Sequence, residues 1–240
     1  MKYPQIKFYG NNAFILEWEQ VISTKVHNNV LQFQNYLTNN YSNKIIELVP
    51  AYNSLAVYLK ESVQLNKFIE VIKKINIEAS EILKTERFLV HIPVCYKSKF
   101  GLDILEISRQ KKISIPEIIL RHTALIYPVY FIGFLPGFPY LGGLDELLFV
   151  KRKQQPRTQV LAGSVAIGGQ QTGIYPSDSP GGWNIIGRTP LQLFSVTKAS
   201  SLLKAGDKVQ FYEISEEEFK TISHQIEMGE YRIRKEILDD

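Results

Sequence analysis

The sequence predicts two domains of different class: a small α+β domain over residues 1–85 and a β-rich domain, closed or sandwiched, over residues 86–214. A charged helix over residues 215–240 follows. Three observations carry this. Up to residue 75, short β-like runs alternate with apolar residues at helical spacing. From Tyr127 on, β-like runs succeed one another with turn residues between them. Glycine and proline also concentrate in one stretch: eleven of the fifteen glycines fall between Gly133 and Gly187, and six of the eleven prolines between Pro136 and Pro190.

Ile6 to Tyr9 and Ala13 to Trp18 read as two strands around the turn Gly10-Asn11-Asn12. Val26, Val30, Phe33 and Leu37 recur at helical spacing and give one apolar face. Ile45 to Val49 and Leu55 to Leu59 form a second strand pair, and Leu65, Phe68, Ile69, Ile72 and Ile75 mark a second helix. Helices then cover one face of a small sheet. This domain ends near Thr85, after the polar segment Glu78 to Glu86. Phe88 to Val94 is another strand. Two short helices come next, because Asp103 with Glu106 and Ser114 with Glu117 have capping-box spacing and Pro116 suits a first helical turn. The second of these carries Ile118, Ile119 and His122. Strands follow at Val129 to Ile132, Val160 to Ile167, Leu191 to Val196 and Val209 to Tyr212. Ser215 with Glu218 opens a polar helix running to Lys235, whose narrow stripe of Phe219, Ile222 and Ile226 suits packing on its own domain.

Composition sets the outer limits. A chain that is 45% hydrophobic and 22% charged has enough apolar material for a core without a metal or disulfide staple. Cys95 is the only cysteine, which excludes an internal disulfide, and its apolar setting reads as a buried small hydrophobe. The net charge of +4 is modest, and the one basic run, Lys151-Arg152-Lys153, reads as a solvated surface rather than a nucleic-acid interface. The first ten residues hold no apolar signal core, and no run approaches the ~20 apolar residues of a membrane span. The reading is a cytoplasmic protein with neither nucleic-acid nor membrane partners. Walker, dinucleotide-binding, zinc and G-x-S-x-G signatures are absent, and His27, His91, His122 and His224 are too dispersed to imply a triad or metal site.

Polar groups set among glycines remain as candidates. Arg157, Ser164, Gln171, Thr172, Tyr175 and Arg188 stand beside glycine or proline turns, and Phe138, Tyr140 and Trp183 lie among them. Turns expose N–H groups that attract anions, and two arginines can fork onto a carboxylate or phosphate. Gln171 and Thr172 suit an amide, while the aromatics wall off water. Taken together they fit a small anionic or amide-bearing ligand. Each has a plainer reading as well, since an arginine beside a turn often caps carbonyls. His122, at a helix end, has the pKa range of an acid or base but equally complements the helix dipole.

The run FIGFLPGFPYLGGL, followed by PRT, AGSV, QTGIYP, SPGGW and IGRTPL, closely resembles the family of the 5-oxoprolinase B-subunit, or allophanate hydrolase subunit 1, which includes a sporulation kinase inhibitor. The match extends through Ile92-Pro93-Val94-Cys95-Tyr96, His122-Thr123 and Val129-Tyr130, and upstream to the segment Glu47 to Tyr52. The resemblance implies a cyclophilin-like β-barrel over residues 86–214 and a C-subunit-like partner of related architecture. With an A-subunit-like protein, the set opens 5-oxoproline to glutamate using ATP. On that reading Arg157 and Arg188 hold carboxylate or phosphate, Gln171 and Thr172 orient the amide, and His122 is the candidate for proton transfer. ATP binds at a subunit junction or on the partner and is not permanently held. Two other functions fit the resemblance. One is the carboxyltransferase half of a biotin-dependent urea or allophanate system, with biotin on a neighbour. The other is a non-enzymatic inhibitor of a histidine kinase, with Phe138 and Trp183 receiving a proline-containing segment.

Overall fold

The computed structural model describes residues 4–21, 23–75 and 86–238. The chain divides into two compact units, Met1–Thr85 and Glu86–Asp240, each with its own core. Most of the polar segment expected to end the first domain lies outside the described residues.

The first unit holds β1 (Gln5–Phe8), β2 (Ala13–Glu17), α1 (Thr24–Tyr41), β3 (Ile45–Pro50), β4 (Ser54–Leu59) and α2 (Leu65–Ile72). Its strands form an antiparallel sheet ordered β1-β2-β4-β3. Helix α1 begins where the Ser23 hydroxyl accepts the Val26 N–H, filling one of the donors a helix start leaves unpaired. Its buried Val26, Val30, Phe33 and Leu37 form a core with Phe14, Leu16, Leu55, Val57 and Leu59 from the sheet and Phe68 and Ile72 from α2. The alternation of Leu55, Val57 and Leu59 along β4 turns these three side chains to one face. Helix α2 ends at Ile72, and Ile75 joins the core from the turn beyond it.

The second unit runs β5 (Phe88–Val94), α3 (Ile104–Lys111), α4 (Ile115–Thr123), β6 (Ile126–Ile132), β7 (Pro139–Leu141), a 3-10 turn at Glu146–Leu148, β8 (Arg157–Val160), β9 (Ser164–Gly168), β10 (Gln171–Ile174), β11 (Ser179–Gly181), β12 (Asn184–Arg188), β13 (Phe194–Ser195), β14 (Ser200–Ser201), β15 (Lys208–Glu213), α5 (Glu216–Glu227) and β16 (Lys235–Ile237). Eight strands make one mixed sheet ordered β12-β9-β10-β7-β6-β15-β5-β16, with β15 and β5 parallel.

Several expected elements differ. The run Val160 to Ile167 is two strands, because Gly163 turns the chain at φ 81° with its Cα pressed against the Thr189 carbonyl. Leu191 to Val196 keeps only the short β13, and Leu191 and Leu193 serve as buried anchors instead. The glycine-rich stretch expected to be loops contributes β7, β10, β11 and β12. The final helix stops at Glu227 rather than Lys235. Gly229 takes a left-handed φ of 73°, and the chain returns as β16, antiparallel to β5. Helix α5 has the complete capping box of Ser215 and Glu218, and its Phe219 stacks on Phe100 at 4.6 Å. Among the described residues no helix is long and apolar enough to cross a membrane.

Asp103 does not cap α3 as its spacing suggests. It is 2% exposed and works at long range. Its backbone N–H donates to the Ile185 carbonyl at 2.8 Å, and its Oδ2 accepts the Ile185 N–H at 2.7 Å. Its Oδ1 accepts from Arg157 Nη2 at 2.6 Å and from Lys153 Nζ at 2.9 Å. Burial alone pushes this carboxyl pKa up, but Arg157, Lys153 and the Ile185 N–H outweigh it and hold the group below its ordinary value. The stabilisation is therefore complete above the unfolded pKa of about 4 and is lost as pH falls through the lower folded value. Replacing Asp103 by Ala strands Arg157 without its counter-charge. Urea unfolding at pH 7 should show a loss of about 3 kcal/mol, the low end for breaking a buried pair because both cations are partly solvated. An unchanged midpoint would show that the pairing does not hold the fold.

Candidate functional site

The sheet around β9 is covered on both sides. Val165, Ile167 and Ile174 face the main core, whereas Ala166 joins Phe138, Val160, Tyr175, Trp183 and Ile185 in a second apolar cluster. Cross-strand partners share a face, so Gly168 with Gln171, and Ala166 with Gly173 and Tyr140, lie on the side of that second cluster. Glycine makes room there for rings. A Cβ on Gly168 would come within 2.5 Å of Trp183, and one on Gly181 within 2.3 Å of the Tyr175 hydroxyl. Phe138 meets Tyr175 and Trp183 edge-on at 5.2 and 5.5 Å, and Tyr140 meets Trp183 at 5.9 Å.

These rings bound a hollow of about 290 Å³. Phe134, Phe138, Tyr140, Tyr175, Trp183, Pro156, Pro180 and the backbone of Gly181 and Gly182 line it, together with Arg152 and Lys153. Phe134 stands 62% exposed with a left-handed φ of 67°, a strained setting for a large side chain of a kind that collects at functional sites. No carboxylate is among the lining residues. Lys153 is bound to Asp103 and Glu106, each at 2.9 Å. The Arg152 guanidinium lies over the Trp183 ring, 5.4 Å from its centroid. Burial raises the pKa of the Tyr140 and Tyr175 hydroxyls. The Trp183 backbone at Tyr175, and the Arg152 charge at both, offset this in part. Both hydroxyls are therefore protonated at neutral pH.

The family model described as the carboxyltransferase domain, subdomain C and D, matches residues 4–203. The 5-oxoprolinase B-subunit of Bacillus subtilis (strain 168) is 37% identical over 228 residues, covering 90% of this chain and 95% of that protein. The 5-oxoprolinase B-subunit of Escherichia coli O157:H7 is 36% identical over 205 residues, covering 84% of this chain and 92% of that protein. The chain belongs to the 5-oxoprolinase B-subunit family. The crystal structure of TTHA0988 is similar at 30% identity with a TM-score of 0.75, covering 85% of this chain and 40% of that longer one.

For this member of the 5-oxoprolinase B-subunit family, the residues singled out from sequence divide into groups. Phe138, Tyr175 and Trp183 line the hollow. Gln171 stands on the same sheet face as Tyr140 but is not among the lining residues. Thr172, one position on, faces the opposite way and is fully buried, so the two do not act on one amide. Ser164 is buried in β9. Arg157 is held by Asp103, and Arg188 donates its Nε–H to the Ala162 carbonyl at 2.8 Å. The structure therefore does not gather Arg157, Gln171 and Arg188 into one hollow, and both arginines are engaged in holding the fold. Sequence reasoning missed Arg152, Lys153 and Phe134. Nothing in the local sequence sets Arg152 apart from a solvated charge run, because its position depends on cross-strand packing.

His122 is fully buried. The Thr172 hydroxyl donates to the Ala166 carbonyl at 3.1 Å, so at its 3.0 Å contact with His122 it accepts from Nε2–H. The His122 Nδ1 then accepts the Tyr96 O–H at 2.7 Å. Every polar atom of this relay is satisfied by the neutral imidazole, and burial depresses the His122 pKa to about 3. The imidazole is sealed away from the hollow and holds α4 to β10.

An unfolded histidine binds a proton near pH 6.5, whereas the folded one stays neutral to about 3. Its contribution is thus full above pH 6.5 and is lost as pH falls from there towards 3. Unfolding free energy measured between pH 7 and 5 should drop by up to about 1.4 kcal/mol per unit below 6.5. The His122→Gln protein should be less stable at pH 7 but show a shallower slope. Equal slopes would mean that His122 is not held neutral.

Proposed function

We propose that this chain is a cytoplasmic subunit of an ATP-dependent 5-oxoprolinase, acting with A-subunit-like and C-subunit-like partners, and that the aromatic hollow receives the lactam ring. The observation that carries this is the hollow itself, a small ring-lined space with a basic rim and no acid, in a chain similar along most of its length to proteins named as the 5-oxoprolinase B-subunit. At about 290 Å³ it sits at the low end of ligand pockets, roughly 300–1,000 Å³, which suits a five-membered ring and not a nucleotide. ATP therefore belongs at a subunit junction or on a partner. The cyclophilin-like barrel is part of the same reading. In its support, Cys95 and Arg188 exchange both backbone hydrogen bonds, at 2.9 and 3.0 Å, and so join the end of β5 to β12 although the two lie far apart in the sheet order.

A lactam carbonyl is a poor electrophile, and ATP supplies the activation that makes it a better one. This chain's residues bind and orient. Trp183, Phe138 and Tyr175 pack the ring and exclude water, which strengthens every polar contact made inside. The protonated Tyr140 hydroxyl is a donor for oxygen on which charge develops. Water then adds across the amide, the C–N bond breaks, and the ring nitrogen leaves as the amine of glutamate. In the reconstituted complex, Trp183→Ala should lower 5-oxoproline-dependent ATP consumption about tenfold or more while assembly, checked by size-exclusion chromatography, is kept. Undiminished turnover would overturn the placement of the substrate. Turnover in a complex lacking this chain would overturn the function.

A further inference from the structure

Four cationic side chains surround or adjoin the hollow, and three have fixed work. Arg157 is paired with Asp103, Lys153 with Asp103 and Glu106, and Arg188 with the Ala162 carbonyl. Arg152 differs. It lines the hollow, is exposed, and among the described residues no carboxylate pairs with it. Its guanidinium lies over the indole of Trp183, a face it can share with or yield to a ligand.

The backbone that carries it is fixed on both sides. The Lys151 carbonyl accepts from Asn184 Nδ2 at 2.9 Å, and the Lys153 N–H donates to the Gly182 carbonyl at 2.7 Å. Lys153 is further tied to Asp103, which grips Ile185 from the other side. An arginine is thus presented from a fixed main chain over an aromatic bed that contains no acid. That arrangement attracts a small anion and pre-pays part of the cost of ordering its receptor. The guanidinium can also hold a carboxylate through two parallel hydrogen bonds.

We propose that Arg152 is the specificity-determining residue of the hollow, gripping the single carboxylate of a small flat ring that lies against Trp183. This rests on the reading of the hollow as the substrate site and adds the residue that selects the ligand. It also moves carboxylate recognition from Arg157 and Arg188 to a side chain within the polar rim.

The test compares 5-oxoproline with 2-pyrrolidinone, the same lactam without its carboxylate. Binding is followed through the indole N–H resonance of Trp183, in the full chain and in its complex with the C-subunit-like partner. The unaltered protein should bind 5-oxoproline at least about tenfold more tightly than 2-pyrrolidinone. Arg152→Gln should abolish that preference while leaving 2-pyrrolidinone affinity unchanged, and Arg152→Lys should restore part of it. If Arg152→Gln leaves the preference intact, or weakens both ligands equally, the role of Arg152 is overturned and the substrate site stands. If neither ring perturbs Trp183 in the chain or the complex, the substrate site fails and this inference with it.

Discussion

The second unit depends on one buried carboxylate. Asp103 binds both backbone groups of Ile185 and two cations, Arg157 and Lys153, that come from the opposite side of the hollow. A carboxylate taken out of water is costly unless its oxygens are filled. Here both oxygens are bonded, and the net downward displacement of its pKa shows that pairing outweighs desolvation. The walls of the hollow follow from this. Pro156 precedes Arg157, Arg152 precedes Lys153, and Trp183 lies two residues before Ile185. Holding Arg157, Lys153 and Ile185 to one point therefore fixes the segments that carry those walls.

Within that frame, the hollow is made by an exchange of side chain for space. Glycine in a strand weakens it, having nothing to pack and more entropy to lose. In β9, β10 and β11 the deficit is met by an aromatic ring from a neighbouring segment that occupies the missing side chain's volume: Trp183 on Gly168, Phe138 against Gly173, Tyr175 on Gly181. The rings thus lie closer to the sheet than a side chain there would permit. The same alternation separates adjacent residues by function, sending Thr172 into the His122 relay and Gln171 to the opposite face.

Amphipathic elements were legible because their signal is local. The apolar spacing of α1 and the run Phe88 to Val94 needed no knowledge of their neighbours. Strands β10 and β12, with sequences QTGI and NIIGR, were not legible, since glycine removes the apolar alternation by which a strand is recognised. Spacing also misled at Asp103. Its separation from Glu106 suited a capping box, yet its partners Arg157 and Ile185 are 54 and 82 residues away, beyond any local pattern. For the candidate site, the aromatics Phe138, Tyr175 and Trp183 could be named from their crowding among glycines. Arg152 could not, because what distinguishes it from Lys151 and Lys153 is which strand edge holds the segment.

The side chains around the hollow also constrain how labour is divided within an assembly. Arg152 and Lys153 are cations, and the pKa values of Tyr140 and Tyr175 are raised, so none of these four changes protonation near neutral pH. His122, the residue whose ordinary pKa suits proton transfer, is neutral, sealed and fully hydrogen-bonded. On the proposed reading this chain can hold a ring, steady a carboxylate and donate hydrogen bonds, but the group that takes a proton from the attacking water must come from a partner. A hollow completed by a second protein would also account for Phe134, whose exposed ring and strained backbone at the mouth would then gain a surface to pack against. Substrate binding and assembly would in that case be coupled through the same few rings.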